Sequence, residues 1–95
     1  MDTTAMFSLA GRSALVTGGS RGIGKMIAEG LLRQGARVYI SARKADACNE
    51  TADELSSIGH CVSLPADVSS TAGIAELVAA YESHEKSLDI LVNNA

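Results

Sequence analysis

A doubly wound α/β fold built on a parallel sheet is predicted by three observations. Short apolar segments alternate with longer stretches of helical periodicity. Glycine or proline closes several of these segments. A glycine-rich turn, Gly18-Gly19-Ser20-Arg21-Gly22-Ile23-Gly24, joins the first apolar segment to the first helical one. Strands alternating with helices of roughly 10–15 residues imply parallel pairing through right-handed crossovers.

Residues 1–11 read as a tail, with Phe7-Ser8-Leu9 packed at the edge of the first strand. Ser13–Thr17 reads as a buried strand because Ala14-Leu15-Val16 is continuously apolar. Gly22 to Gln34 is predicted helical, with Ile23, Met26, Ile27 and Leu31 recurring at the spacing of one helix face. Gly35 ends it as a left-handed cap. Arg37–Ser41 is the second strand, carried by Val38-Tyr39-Ile40. The alanine-rich stretch 45–57 is the second helix, with Cys48, Ala52 and Leu55 on one face and Gly59 ending it. Cys61–Leu64 is the third strand, closed by Pro65. Asp67-Val68-Ser69-Ser70 is a turn whose serine hydroxyl caps the next helix. That helix covers 71–85, with Ile74, Leu77, Val78 and Tyr81 inward, and Leu88–Val92 is the fourth strand.

The order β-α-β-α-β-α-β makes one half of a doubly wound sheet plus the first strand past it. A complete dinucleotide fold of this kind has about six strands. Residues 1–95 are therefore expected to be the N-terminal portion of a single domain, cut within its last motif.

Composition narrows the class. The chain has 95 residues, enough for one domain, and 46% are apolar. Aromatics make up only 3%, so the core must be aliphatic. The formal charge is -3 and no basic patch stands out, which argues against a nucleic-acid partner. No apolar run approaches the ~18 residues of a membrane span. Met1-Asp2-Thr3-Thr4-Ala5-Met6 lacks the basic start of a signal peptide. A cytoplasmic location is expected, and with it Cys48 and Cys61 as reduced, buried thiols. No metal-ligand spacing occurs, and no G-x-S-x-G elbow. His60 at a strand start and His84 near a helix end read as incidental.

The glycine-rich turn carries the most chemistry. Gly18 suits a tight turn off the strand, Gly22 lets a ligand approach the backbone, and Gly24 allows helix and strand to pack closely. The helix opening at Ile23 presents unpaired N–H groups and a partial positive charge to a pyrophosphate. Ser20 adds a hydroxyl donor and Arg21 a charge. The alternative is a plain glycine-rich connection with no ligand. The end of the second strand bears on cofactor choice. NAD sites place a carboxylate about 20 residues past the glycines, on the ribose 2′-OH. Here Ser41-Ala42-Arg43-Lys44 offers two cations instead. Arg43 and Lys44 suit a 2′-phosphate, Arg43 through its planar fork, unless they are a solvated helix start. Asp67-Val68 and Asn93-Asn94 follow the third and fourth strands, where they would border adenine and ribose. Asp67 as an ordinary turn residue stays open.

Thr17-Gly18-Gly19-Ser20-Arg21-Gly22-Ile23-Gly24, Asp67-Val68 and Asn93-Asn94-Ala95 together resemble the short-chain dehydrogenase/reductase family, in order and in spacing. The first of these, with Leu9-Ala10-Gly11-Arg12 before it, is most similar to that of bacterial 3-oxoacyl reductases. The resemblance implies a Rossmann fold and a nicotinamide cofactor, NADP(H) by the basic pair. It implies that the turn holds the pyrophosphate, that Asp67 contacts adenine, and that the segment through Asn94 and Ala95 lines the cofactor site. It further implies reduction of a small carbonyl substrate, of the acyl-thioester type, by hydride transfer. A homo-oligomeric parent, dimer or tetramer, is expected. The family's catalytic Asn, Ser, Tyr and Lys lie beyond the last motif, so no catalytic residue is assigned here. Tyr81 is no match for the Tyr-x-x-x-Lys pair, because position 85 is Glu. A non-catalytic NADPH-binding or sensing module, or a flavodoxin-like binding domain, would share the same pattern.

Overall fold

A computed structural model of the chain describes residues 8–94. Its elements are β1 (Ser13–Thr17), α1 (Gly22–Arg33), β2 (Arg37–Ser41), α2 (Ala45–Leu55), β3 (Cys61–Ser63), α3 (Thr71–Glu82) and β4 (Ile90–Asn93). The sheet runs β3-β2-β1-β4, and all its pairings are parallel. Ala14 lies opposite Val38 on one side and Ile90 on the other.

Strand residues point alternately to the two faces of the sheet, and each face has its own core. Ala14, Val16, Val38 and Ile40 face α1 and α2, packing with Ala28, Leu32, Cys48, Ala52 and Leu55. Leu15 and Tyr39 face α3, packing with Leu77 and Tyr81. Both cysteines are free and buried. Burial pushes the Cys61 thiol up to about 11, with the nearby Cys48 adding to the shift, so it stays protonated.

The helix faces differ from expectation at α1 and α3. Ile23 is 63% exposed and Met26 68%. The buried line on α1 is Gly24, Ala28 and Leu32. On α3, Ile74 and Val78 are about half exposed, while Gly73, Leu77 and Tyr81 are buried. Each helix seats itself through a line at i, i+4 spacing that begins with glycine. A missing side chain at the glycine lets the helix axis come close. Ile23, Met26, Ile74 and Val78 are thereby carried to the flank, while Leu77 and Tyr81 lie inward as expected.

The element ends differ from the predicted ones for local reasons. β4 begins at Ile90, not Leu88, because Asp89 takes over the ladder. Its carboxylate accepts the Ser13 N–H at 2.9 Å and its own N–H donates to the Ser13 carbonyl at 3.1 Å. α1 stops at Arg33 in a Schellman turn. The Gly35 N–H donates to the Leu32 carbonyl at 2.9 Å and the Ala36 N–H to that of Leu31 at 3.1 Å, with Gly35 at φ +96°. α2 ends at Leu55 and passes into a turn closed by the Ile58 N–H on the Leu55 carbonyl at 2.9 Å. β3 ends at Ser63, although the Leu64 N–H still donates to the Ile40 carbonyl at 2.8 Å. α3 ends at Glu82, short of Glu85, whose side chain turns back onto β2. The Arg37 guanidinium grips the Glu85 carboxylate with two bonds of 2.7 and 2.8 Å, and the Tyr39 hydroxyl donates to the same group. These two partners, Arg37 foremost, hold the Glu85 carboxyl down at about 2. Burial, and then the contact with Glu85, pushes Tyr39 up to about 12. At the N-terminal edge Leu9 packs against the α1 and α2 core, and its N–H donates to the Gln34 carbonyl at 2.7 Å. Phe7 lies outside the described residues.

Candidate functional site

Neighbouring chain order reverses at β1, with β2 on one side and β4 on the other. The helices α1 and α2 cover one face of the sheet and α3 the other, and the crevice of such a switch point lies at the carboxyl ends of the strands. Gly18 makes the turn off β1 at φ +68°, and the N–H groups of Gly18 and Gly19 both donate to the Ser41 carbonyl, at 2.8 and 3.3 Å. The loop is thereby tied to the end of β2. A Cβ placed on Gly18 would overlap the Asn94 carbonyl, and one on Gly24 would overlap the Gly18 carbonyl. Only bare backbone lets β1, the head of α1 and the end of β4 meet. Gly22 is different, with φ +62° and no neighbour around its missing side chain.

The head of α1 is left open. Arg21 at the cap position makes no side-chain capping bond, and the first turn carries no acidic residue. The first N–H groups of a helix have no intrahelical partner. Those of Gly22, Ile23 and Gly24 therefore offer themselves, with the helix dipole, to an anion.

A cleft of about 510 Å³ lies over the strand ends, and its lining includes Gly18, Ser20, Arg21, Arg43, Asp67, Val68 and Asn94. The structure thus brings those predicted residues to one place. Gly22, Ile23 and Gly24 adjoin it at the helix head without lining it. Lys44 lies apart from the main cleft, on a smaller depression of about 130 Å³ that it shares with Ser20, Arg21, Ala42, Arg43 and Ala47. Ala95 is outside the described residues. Asp67 is fixed by an Asx turn, its Oδ1 accepting the Ser69 hydroxyl at 2.5 Å and the Ser69 N–H at 3.0 Å. Those bonds, hydroxyl first, keep its carboxyl below the usual range, and the charge of Arg43 adds to the effect. Ser70 caps α3, its hydroxyl accepting the Gly73 N–H at 3.0 Å.

Sequence reasoning missed Thr17, Thr51 and Ser69. The Thr17 hydroxyl donates to Asn93 Oδ1 and accepts the Asn94 N–H, both at 3.1 Å, so it fixes the end of β4 beside the glycine turn. The Thr51 hydroxyl donates to the Ser20 carbonyl at 2.7 Å. A β-branched polar residue beside buried Ala52 in a helix was the available signal. Neither tyrosine faces the cleft. Tyr39 is engaged with Glu85, and the Tyr81 hydroxyl with the Ser87 carbonyl at 2.6 Å and Ser13 Oγ at 2.8 Å.

These features fit a phosphorylated dinucleotide: an open helix head, a cradle that a Cβ would fill, and arginines on the wall with no carboxylate at the end of β2. Among the described residues no cluster of His, Cys, Asp and Glu could hold a metal ion, and no helix is long and apolar enough to cross a membrane. Rossmann-type α/β proteins seat dinucleotides at such a switch point, and this chain has that fold.

The family model for short chain dehydrogenases matches residues 12–95, and the chain belongs to that family. Over 89 residues it is 63% identical to the rhamnolipids biosynthesis 3-oxoacyl-(acyl-carrier-protein) reductase of Pseudomonas aeruginosa, covering 94% of this chain and 35% of that relative. The solved Pseudomonas aeruginosa RhlG/NADP active-site complex matches at TM-score 0.93 and 60% identity, over 100% of this chain and 38% of that one. L-sorbose reductase from Gluconobacter frateurii, complexed with NADPH and L-sorbose, matches at TM-score 0.89 and 35% identity, over 94% of this chain and 35% of that one. The chain therefore spans about 35% of the length of the curated relative.

Proposed function

We propose that this chain forms the NADPH-binding part of an oxidoreductase that reduces a carbonyl group, of the 3-oxoacyl thioester class, to an alcohol. The observation that carries the cofactor assignment is the basic wall. Arg21 from the glycine turn and Arg43 from the end of β2 line the same cleft, and both line the small depression with Lys44. A 2′-phosphate is matched by that charge, whereas a bare 2′-hydroxyl gains nothing from it. The substrate class rests on the similarity to the 3-oxoacyl reductase.

Each residue has a part in binding. The N–H groups at the head of α1 take the pyrophosphate, with Ser20 donating its hydroxyl beside them. Asp67 and Val68 border the adenine, and Asn94, with Ala95 after it, supports the ribose side. When bound, NADPH supplies the hydride that reduces the carbonyl carbon. The two tyrosine hydroxyls described above are committed to structural bonds, so they hold their protons away from the cleft. The proton that completes the alcohol is not assigned to a residue of this chain.

Titration of the protein with NADPH and NADH, followed by cofactor fluorescence, tests the reading. Loss of a charge-assisted bond costs on the order of 1.5–3 kcal/mol. Arg43→Ala should then weaken NADPH binding roughly ten- to a hundredfold and leave NADH nearly unchanged. An equal loss for both cofactors would overturn the assignment.

A further inference from the structure

Thr51 lies in the middle of α2, is only 6% exposed, and lines neither cavity. Within a helix a threonine hydroxyl ordinarily bonds back to the carbonyl one turn earlier. This one reaches out of its helix, to the backbone carbonyl of Ser20 at 2.7 Å. The bond joins residues 31 apart in sequence, one in α2 and the other in the glycine turn.

Its position gives it a consequence. Ala47, one helical turn before Thr51, lines the small depression. Residues four apart lie on the same helix face. Thr51 therefore sits one turn further along the face that carries Ala47. Ser20 and Arg21 from the turn, with Ala42, Arg43 and Lys44 from the end of β2 and the head of α2, complete the depression's lining. The Thr51–Ser20 bond ties α2 to the glycine turn that lines the depression.

A tie between α1 and α2 also exists but is of another kind. Lys25 Nζ meets Glu54 Oε2 at 2.5 Å, with side chains 35% and 61% exposed. Exposed pairs of this sort hold little. The part-buried, neutral bond from Thr51 ties α2 itself to the turn, beside the Gly18 and Gly19 bonds that tie the turn to the end of β2.

We propose that Thr51 is a positioning residue for cofactor selectivity. It holds the Arg21 side of the glycine turn at the spacing from Arg43 that grips a 2′-phosphate. The inference rests on the NADPH reading above. Loss of one neutral hydrogen bond, transmitted through the loop, should weaken NADPH binding roughly three- to tenfold. NADH, which lacks the 2′-phosphate, should bind with little change.

The test compares Thr51→Val, which keeps shape and removes the hydroxyl, with Thr51→Ser, which keeps the hydroxyl. Dissociation constants are measured for NADPH and NADH, and for 2′,5′-ADP against 5′-AMP as minimal probes. Amide hydrogen exchange of Gly19 to Gly22 is followed in the same samples. Thr51→Val should lose affinity for the two 2′-phosphate ligands and exchange faster in the turn. Thr51→Ser should restore both. Equal losses for phosphorylated and unphosphorylated ligands would overturn the selectivity role. So would unchanged constants, or failure of Thr51→Ser to restore them. Wild-type protein that binds neither dinucleotide would overturn the NADPH reading and the selectivity role with it. The loop exchange would still report whether Thr51 holds the turn, so the two failures read differently.

Discussion

Two glycines of α1 should respond to the same substitution with opposite signs. At Gly24 an added methyl would meet the Gly18 carbonyl well inside van der Waals distance, with Asn94 Nδ2 at 2.8 Å behind it. The obstacle is backbone, and that backbone is pinned by the bond from Gly18 N–H to the Ser41 carbonyl. It cannot rotate away as a side chain would. Overpacking of this kind costs about 1–3 kcal/mol, more than the helix propensity that alanine gains. At Gly30 a methyl meets nothing within 4 Å, and the backbone angle suits any residue. There Gly30→Ala should gain about 0.5–1 kcal/mol. Urea denaturation of the protein and both variants measures the difference, and the midpoints should move apart. NADPH titration of Gly24→Ala should also show weakened binding, because the helix head is displaced from the cleft. A Gly24→Ala protein as stable as wild type would refute the close seating of α1 on the turn. A destabilised Gly30→Ala would refute the exposed setting of that position.

Further outcomes follow from the geometry. Glu85, held at about 2 against its ordinary 4.5, contributes stability that is complete above pH 4.5 and is lost as pH falls toward 2. Tyr39, raised from 10.0 to about 12, contributes stability that is present below pH 10 and is lost as pH rises toward 12. Glu85→Gln should cost about 1–3 kcal/mol near neutrality and flatten the acid limb of a stability-against-pH curve; an unchanged limb would show that other carboxylates dominate it. Gly22→Val places a branched side chain at φ +62° in open space at the helix head, so NADPH binding should vanish while near-native circular dichroism persists, and normal binding by that variant would show that the turn is only a connection.

The alternation of elements was legible in the sequence because each strand is a short apolar run and each helix is marked by its own glycine or serine. Ser13–Thr17 and Arg37–Ser41 could be read to the residue. The helix faces were less legible. A search for bulky apolar positions finds Ile23, Met26, Ile74 and Val78, but α1 and α3 dock through Gly24 and Gly73. Glycine carries no hydropathy signal that it will be a contact. The start of β4 was hidden for a similar reason, since Asp89 pairs with Ser13 through its side chain. In the cleft, residues with charge or unusual backbone could be found from spacing. Thr17 and Thr51 could not, because their partners lie far along the chain.

The bonds that join Thr17 to Asn93 and Asn94 connect residues 76 and 77 apart in sequence. The β1-α1-β2 segment, by contrast, can close on itself locally. Loop-closure entropy makes distant pairings late events. The glycine turn is therefore ready before its floor exists, and the cleft is completed only when β4 docks on β1. Dinucleotide binding during refolding should thus trail the appearance of helical circular dichroism and mark the closing step of the sheet.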